Sequence, residues 1–145
     1  MGGVRGAAWL AGLWTGVLVA VGAIAAPVAF TVLPRDAAGL VAGRLFAVEA
    51  YAGLAVAVVL FLLLRRRARA AAEAGTGSVL GADMLLVLGA LFCTVVGHFA
   101  LQPMMAPARA GQGPLSFGAL HAIASALYAL KAVLVGALAW RLAPH

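Results

Sequence analysis

The sequence predicts an all-α integral membrane protein: an antiparallel bundle of four transmembrane helices with both termini in the cytoplasm. The prediction depends on the hydrophobic composition, on four long apolar segments and on the uneven placement of the basic residues. Hydrophobic residues make up 66% of the 145 residues and charged residues only 10%, and the mean hydropathy is +1.11. Soluble domains are roughly 45–50% apolar and about 25% charged. Such a chain cannot cover a soluble core with polar surface, so its solvent is a bilayer.

Four segments are long enough to cross a bilayer, which takes about 20 mainly apolar residues. The connections between them are short, so residues 1–145 are predicted to form a single membrane domain. The first segment contains an A-x-A pattern at Ala23–Ala25, which a signal-peptide cleavage site would need. Its apolar run is longer than that of a signal peptide, and we interpret it as a span. The predicted spans cover residues 7–30, 40–64, 79–101 and 119–142.

The first and third segments each have a proline near the outer end, Pro27 and Pro103. Proline removes a backbone donor and interrupts the helical hydrogen bonds, so Pro103 is predicted to break the outer end of the third helix. The similar placement of the two prolines suggests a duplicated two-helix unit.

The basic residues predict the orientation, because cytoplasmic loops are enriched in Lys and Arg. Arg5, Arg141 and the arginine cluster at 65–69 flank one side, whereas Asp36 offsets the fewer basic residues on the other. We therefore predict a multipass protein of the cell inner (plasma) membrane with cytoplasmic termini. The net charge of +6 is interpreted as facing anionic lipid, and no nucleic-acid partner is predicted.

Aromatic and small residues predict how the helices sit in lipid. Trp9, Trp14 and Trp140 are predicted to form an aromatic belt at the inner interface. Two Gly-x-x-x-Gly patterns, Gly12–Gly16 and Gly39–Gly43, are typical of close helix packing in lipid. We interpret them as ordinary packing within the bundle. Because four Gly/Ala-rich helices enclose little by themselves, a homo-oligomer is predicted.

Two ionisable residues are predicted near the middle of the bilayer, where each costs about 2.5–3.5 kcal/mol on insertion scales. Glu49 lies about ten residues into the second segment, which is roughly 15 Å at 1.5 Å per residue. Lys131 lies at a similar depth in the fourth segment. We predict that the two pair, and that the pair gates transport or carries protons. Snorkelling of Lys131 is the alternative, although the nearer interface is far for its stem.

Soft metal ligands are concentrated in FCTVVGHFALQPMMAP, residues 92–107. Cys93 points away from His98 on an ideal helix, and we interpret it as a small buried side chain. No nucleotide-binding loop, H-E-x-x-H motif or Ser/His/Asp set is present, so no enzymatic activity is predicted. His145 is terminal and is predicted to be disordered.

His98 and His121 are predicted at a similar outer-leaflet depth, with Gln102 on the face of His98. One hypothesis is a soft-metal site, suited to Cu(I), formed by both histidines with Met104 and Met105. A second is a b-type haem held by the two histidines, which ranks below metal because only one such pair exists. A third is that these side chains only hydrogen-bond neighbouring helices or water.

A further pattern runs through the first hairpin: an apolar helix, Pro-x-x-Phe, a basic/acidic turn with Ala-Gly, then Phe and Tyr. With a later outer proline and FGALHAIASALYAL before the last helix, it resembles a bacterial membrane-protein family of unknown function related to human transmembrane protein 205. Relatives carry Ser and Asn after the histidine, where this chain has Ala124 and Tyr128. The residues that match the pattern are Pro27, Phe30, Arg35, Asp36, Ala38, Gly39, Phe46, Tyr51 and Pro103.

The resemblance implies a four-helix membrane protein without a settled activity. The human relative is associated with resistance to platinum drugs, which implies handling of soft metal species. Together with the residues above, the sequence predicts a transporter or binding protein for a soft metal ion or a small solute, and the His/Met ligands favour copper as that metal. A haem-binding redox module and a structural or assembly subunit without a ligand are the alternatives.

Overall fold

The protein is a bundle of four long helices, seen in a computed structural model that describes residues 2–143. His145 lies outside the described residues. Each helix is long and apolar enough to cross a membrane, and the described part of the chain contains no strand. This confirms the predicted all-α fold with four membrane helices. The helices are α1 (Gly3–Val32), α2 (Arg35–Glu73), α3 (Ala82–Arg109) and α4 (Phe117–Leu142).

The helices follow one another around the bundle in chain order. α1 packs on α2 and α4, and α3 packs on the same two helices, so α2 and α4 face each other across the centre. We call the end of the bundle with the 74–81 connection the termini end. The opposite end, with the connections at 33–34 and 110–116, is the far end.

α2 is much longer than its apolar segment. It has 39 residues and continues through the arginine cluster at 65–69 to Glu73. Ala, Arg and Glu are all strong helix formers, so nothing in this stretch ends the helix. At 1.5 Å per residue α2 is roughly 58 Å long, against about 30 Å for the hydrocarbon of a bilayer. The arginines therefore lie on a helical extension beyond the apolar span.

α1 and α3 each widen into a π-helical segment just before a proline. The segments are Ala20–Ala25 and Val95–Leu101, and Pro27 and Pro103 follow each of them at the same interval. A proline ring clashes with the carbonyl four residues earlier, and a π-helical turn accommodates this mismatch. The prediction that Pro103 breaks its helix is therefore wrong, because α3 continues past it to Arg109.

The two hairpins, α1–α2 and α3–α4, also match in register. Glu49 and Lys131 stand at the same position from the start of α2 and α4, 82 residues apart. Phe46 and Tyr128 are separated by the same interval, and their rings pack edge to face with centroids 5.0 Å apart. Equivalent residues of the two hairpins thus meet at the bundle centre, as they would across a two-fold axis. This register supports the duplicated two-helix unit.

The glycine pairs do not hold the bundle together. A Cβ atom added at any glycine of Gly12–Gly16 or Gly39–Gly43 would have nothing within 4 Å beyond its own helix. The prediction that they pack within the bundle is therefore wrong. Buried alanines allow the close approach of helices instead, and they are Ala7, Ala11, Ala26, Ala29, Ala38, Ala42, Ala50, Ala57 and Ala90.

Candidate functional site

Glu49 and Lys131 form an ion pair in the centre of the bundle. Lys131 Nζ donates to Glu49 Oε2 at 2.7 Å, and the two side chains are only 4% and 2% exposed, respectively. The two residues predicted to pair therefore do so. Each charge comes from a different hairpin, because Glu49 lies on α2 and Lys131 on α4.

Trp14 engages the other carboxylate oxygen. Its Nε1 donates to Glu49 Oε1 at 3.2 Å, and the residue is 3% exposed. The prediction of an interfacial position is therefore wrong for Trp14, whereas Trp9 and Trp140 are 75% and 73% exposed. Spacing along α1 contains a signal for this burial, because Trp14 shares one helical face with Ala7, Ala11 and Leu18, all of them buried.

Gly53 provides the space for this hydrogen bond. It is buried one helical turn after Glu49, on the same face of α2. A Cβ atom at this position would lie 2.9 Å from Trp14 Nε1 and 3.0 Å from Glu49 Oε1. A larger residue would therefore push the indole and the carboxylate apart. Nothing in the sequence separates this glycine from the many others, so sequence analysis missed it.

Tyr128 connects the ion pair to α1. Its hydroxyl donates to the carbonyl oxygen of Leu18 at 2.8 Å. Its ring lies against Gly22, where an added Cβ atom would be 2.5 Å from Tyr128 Cε1. Lys131 Nζ is 4.9 Å from the centroid of the same ring, within the range of a cation–π interaction. We call Trp14, Glu49, Tyr128 and Lys131 the central cluster.

The central cluster is satisfied by the protein itself. Within residues 2–143, no buried side-chain nitrogen or oxygen lacks a hydrogen-bond partner. Buried polar groups without partners are costly, so this arrangement is stable as it stands. Both charges are shielded from the surface in this arrangement.

A second ion pair provides a contrast at the termini end. Arg141 Nε lies 2.7 Å from Asp83 Oδ1 and joins α4 to α3, but the two side chains are 51% and 34% exposed. Exposed pairs of this kind contribute about 0–1 kcal/mol. The two pairs have equal distances and very different surroundings.

The two predicted histidine ligands each pack on aromatic rings. The His98 ring packs edge to face on Tyr51 and Phe99, with centroids 5.6 and 5.0 Å apart. His121 stacks on Phe117, with centroids 5.9 Å apart. In the described part of the chain, no group of three or more His, Cys, Asp or Glu side chains could hold a metal ion. The copper and haem hypotheses therefore stay predictions.

The remaining predicted residues lie along the same half of the bundle. Gln102, Met104 and Met105 are half-buried in α3 after its π-helical segment. Cys93 is a free, buried cysteine, as predicted. We call His98, Gln102, Met104, Met105 and His121 the far-end group; His98 is its innermost member, because its ring packs on Tyr51, two residues after Glu49 in α2.

The residues of the resemblance lie in three parts of the bundle. Pro27 and Pro103 follow the π-helical segments, and Phe46 packs on Tyr128 in the centre. Tyr51 lies farther along α2, beyond Glu49, where it contacts His98. The others lie near the far end of α1 and α2, and only Ala38 among them is buried: Phe30, Arg35, Asp36, Ala38 and Gly39.

One comparison with known proteins gives a match. A family described as a domain of unknown function (DUF4149) matches residues 9–113. The match covers most of α1 and all of α2 and α3, including Trp14 and Glu49, and ends before Tyr128 and Lys131. No curated protein and no solved structure matches the chain significantly. The uncharacterised family predicted from the first hairpin is thus supported, while the relation to human transmembrane protein 205 stays a prediction.

Proposed function

The chain belongs to the DUF4149 family, and we propose that it is a small membrane transporter in which the Glu49–Lys131 pair is the gate. The observation that supports this is the burial of both charges at the centre of a bundle made of membrane helices. Ionisable residues inside membranes are costly, and they commonly mark ion pathways, proton relays or substrate sites.

Stability alone is a weak reason for such a pair. Well-packed apolar residues of similar volume often replace a buried ion pair without loss, or even with a gain, in stability. A charge pair differs from an apolar contact because protonation of the carboxylate, or competition by a charged solute, removes the attraction. The pair is therefore suited to a contact that must open.

The arrangement of the helices suggests how it opens. One charge lies on each hairpin, and the two hairpins match in register. Rocking of one repeat against the other, around a site at their interface, is a common transport movement. In this protein such a movement would separate Glu49 from Lys131 and expose both to a solute.

The location and assembly of the protein belong to the same proposal. The basic residues at the termini end support an inner (plasma) membrane protein with both termini cytoplasmic. The exposed Gly12–Gly16 face of α1, where an added Cβ atom would meet open space, supports a homo-oligomer. Labelling of a Thr76→Cys variant in intact cells tests the orientation, because residue 76 lies in the connection at the termini end. Light scattering of the detergent-solubilised protein tests the oligomeric state.

A soft-metal carrier is the second candidate, and copper is the metal that the ligand chemistry favours. It depends on His98, His121, Met104 and Met105, whose imidazole and thioether groups are borderline or soft metal ligands. We rank it below the gate because each histidine packs on aromatic rings.

The transporter proposal is tested in vesicles loaded with a pH-sensitive dye. Proton flux is followed under an imposed pH gradient, first alone and then with glycine, lactate or a monovalent cation outside. The wild type is expected to exceed empty vesicles in at least one condition. The double variant Glu49→Leu/Lys131→Met is expected to fold but to lose this flux, while Arg141→Ala keeps it. Flux equal to that of empty vesicles in every condition, or full flux in the double variant, contradicts the proposal.

A further inference from the structure

The π-helical segment of α1 is supported from another helix. In a regular α-helix the Leu18 carbonyl would accept the N–H of residue 22. The segment Ala20–Ala25 shifts the backbone partners by one residue, since a π-helix pairs residues five apart. The Tyr128 hydroxyl brings a donor from α4 to this carbonyl at 2.8 Å.

Gly22 makes this contact close. Residue 22 lies inside the π-helical segment, and the Tyr128 ring occupies the space that a Cβ atom would need. Any other residue at this position would displace the ring and, with it, the hydroxyl. The segment and the tyrosine therefore fit each other directly, with no intervening side chain.

The equivalent segment of α3 is supported differently. At its start, the Thr94 hydroxyl donates to the carbonyl of Ala90 at 3.0 Å, within the same helix. The residue equivalent to Tyr128 in the first hairpin is Phe46, which has no hydroxyl. The two equivalent segments thus differ: the α3 segment has a side-chain hydrogen bond from its own helix, whereas the α1 segment receives one from α4.

Tyr128 is also linked to the ion pair. It precedes Lys131 by three residues, so both lie on one face of α4. The Lys131 ammonium lies 4.9 Å from the centroid of the tyrosine ring, and this ring packs edge to face with Phe46 on the helix that carries Glu49. A movement of α4 that opens the ion pair must therefore also move Tyr128.

We propose that Tyr128 is a positioning residue that couples the Glu49–Lys131 pair to the π-helical segment Ala20–Ala25. While the pair is closed, Tyr128 holds the segment through Leu18. When the pair opens, the segment loses this hydrogen bond, and α1 bends at Pro27. The purpose of this coupling rests on the proposed gate, but the coupling itself is measurable without any transported solute.

Hydrogen–deuterium exchange of the full-length protein in lipid nanodiscs tests the coupling. Tyr128→Phe keeps the ring and removes the hydroxyl, and it is expected to speed exchange at residues 20–25 about fivefold, the factor that corresponds to one net hydrogen bond of about 1 kcal/mol. Glu49→Gln weakens the ion pair and is expected to speed exchange at the same residues. The double variant is expected to exchange no faster than the faster single variant, because both changes release the same contact.

Two controls separate coupling from general loosening. Thr94→Val is expected to speed exchange at residues 95–101 and to leave residues 20–25 unchanged. Arg141→Ala is expected to change neither segment. If Glu49→Gln does not yield folded protein, Lys131→Gln replaces it, since it weakens the pair from the other side.

Unchanged exchange at residues 20–25 in the ion-pair variant, or additive effects in the double variant, would overturn the coupling. That result would leave the vesicle experiment unaffected, because proton flux does not depend on which helix segment responds. Conversely, coupling without flux in any vesicle condition would retain Tyr128 as a positioning residue of a structural ion pair and reject the transporter.

Discussion

The central cluster and the far-end group show two different relations between sequence and site. The far-end group is concentrated within one stretch plus one histidine, yet its two imidazoles pack on separate aromatic rings. The central cluster draws on α1, α2 and α4, and three of its members, Trp14, Glu49 and Lys131, are joined by direct hydrogen bonds. The far-end group therefore stays a predicted site, whereas the predicted Glu49–Lys131 pair is present in the structure. The energetic cost of a charge in lipid was the better guide.

The largest expected effect comes from removing one partner of the buried pair. Lys131→Met leaves Glu49 buried without a counter-charge, which destabilises by about 3–5 kcal/mol. Arg141→Ala, the matched change in the exposed pair, is expected to cost at most about 1 kcal/mol. Unfolding in detergent micelles measures both. Equal losses in the two variants would mean that burial does not distinguish the pairs.

A smaller loss is expected when Trp14 loses its donor. Trp14→Phe keeps an aromatic ring but leaves Glu49 Oε1 without its hydrogen bond, and a bond to a charged group is worth about 1.5–3 kcal/mol. Trp9→Phe is the control, because Trp9 is exposed on the outside of α1. The difference in unfolding free energy between these variants measures the contact. No difference would remove Trp14 from the central cluster.

Glycine substitutions test the packing of the same contact. Gly53→Ala places a Cβ atom against Trp14 and Glu49, and overpacking of this kind costs about 1–3 kcal/mol. Gly16→Ala meets open space, and alanine is the better helix former, so no loss of stability is expected. The midpoint of thermal unfolding should therefore fall in Gly53→Ala and not in Gly16→Ala. A loss in Gly16→Ala would instead reveal a contact on the outer face of α1.

The smallest effect on stability is expected in the far-end group. His121 is exposed, so His121→Ala is expected to change the unfolding free energy by no more than about 0.5 kcal/mol. Copper(I) titration of the same variant and of Met104→Ala/Met105→Ala tests the metal hypothesis. Stoichiometric copper lost in both variants would support a site there, and an absorption band of haem lost in His121→Ala would support the redox alternative. A wild-type protein that binds neither rejects both.

Sequence analysis could predict the parts of this molecule that depend on a single helix. The apolar length of each segment predicted four membrane helices, and the depth of Glu49 and Lys131 predicted their pairing. Contacts between helices were harder, because the Tyr128–Leu18 hydrogen bond joins residues 110 positions apart. Trp14 was misplaced because tryptophan is typical both of interfaces and of cores. The predicted helix break at Pro103 was wrong because a π-helical turn lets α3 continue past the proline.

The bonding of Glu49 also has a consequence for biosynthesis. Its counter-charge lies 82 residues later in the chain, so α2 is synthesised well before Lys131. Trp14 lies earlier, in α1, and is available to bond one carboxylate oxygen as soon as the first hairpin forms. Glu49 can thus form one hydrogen bond within the first hairpin while the second hairpin is still being synthesised. The counter-charge itself arrives only with α4.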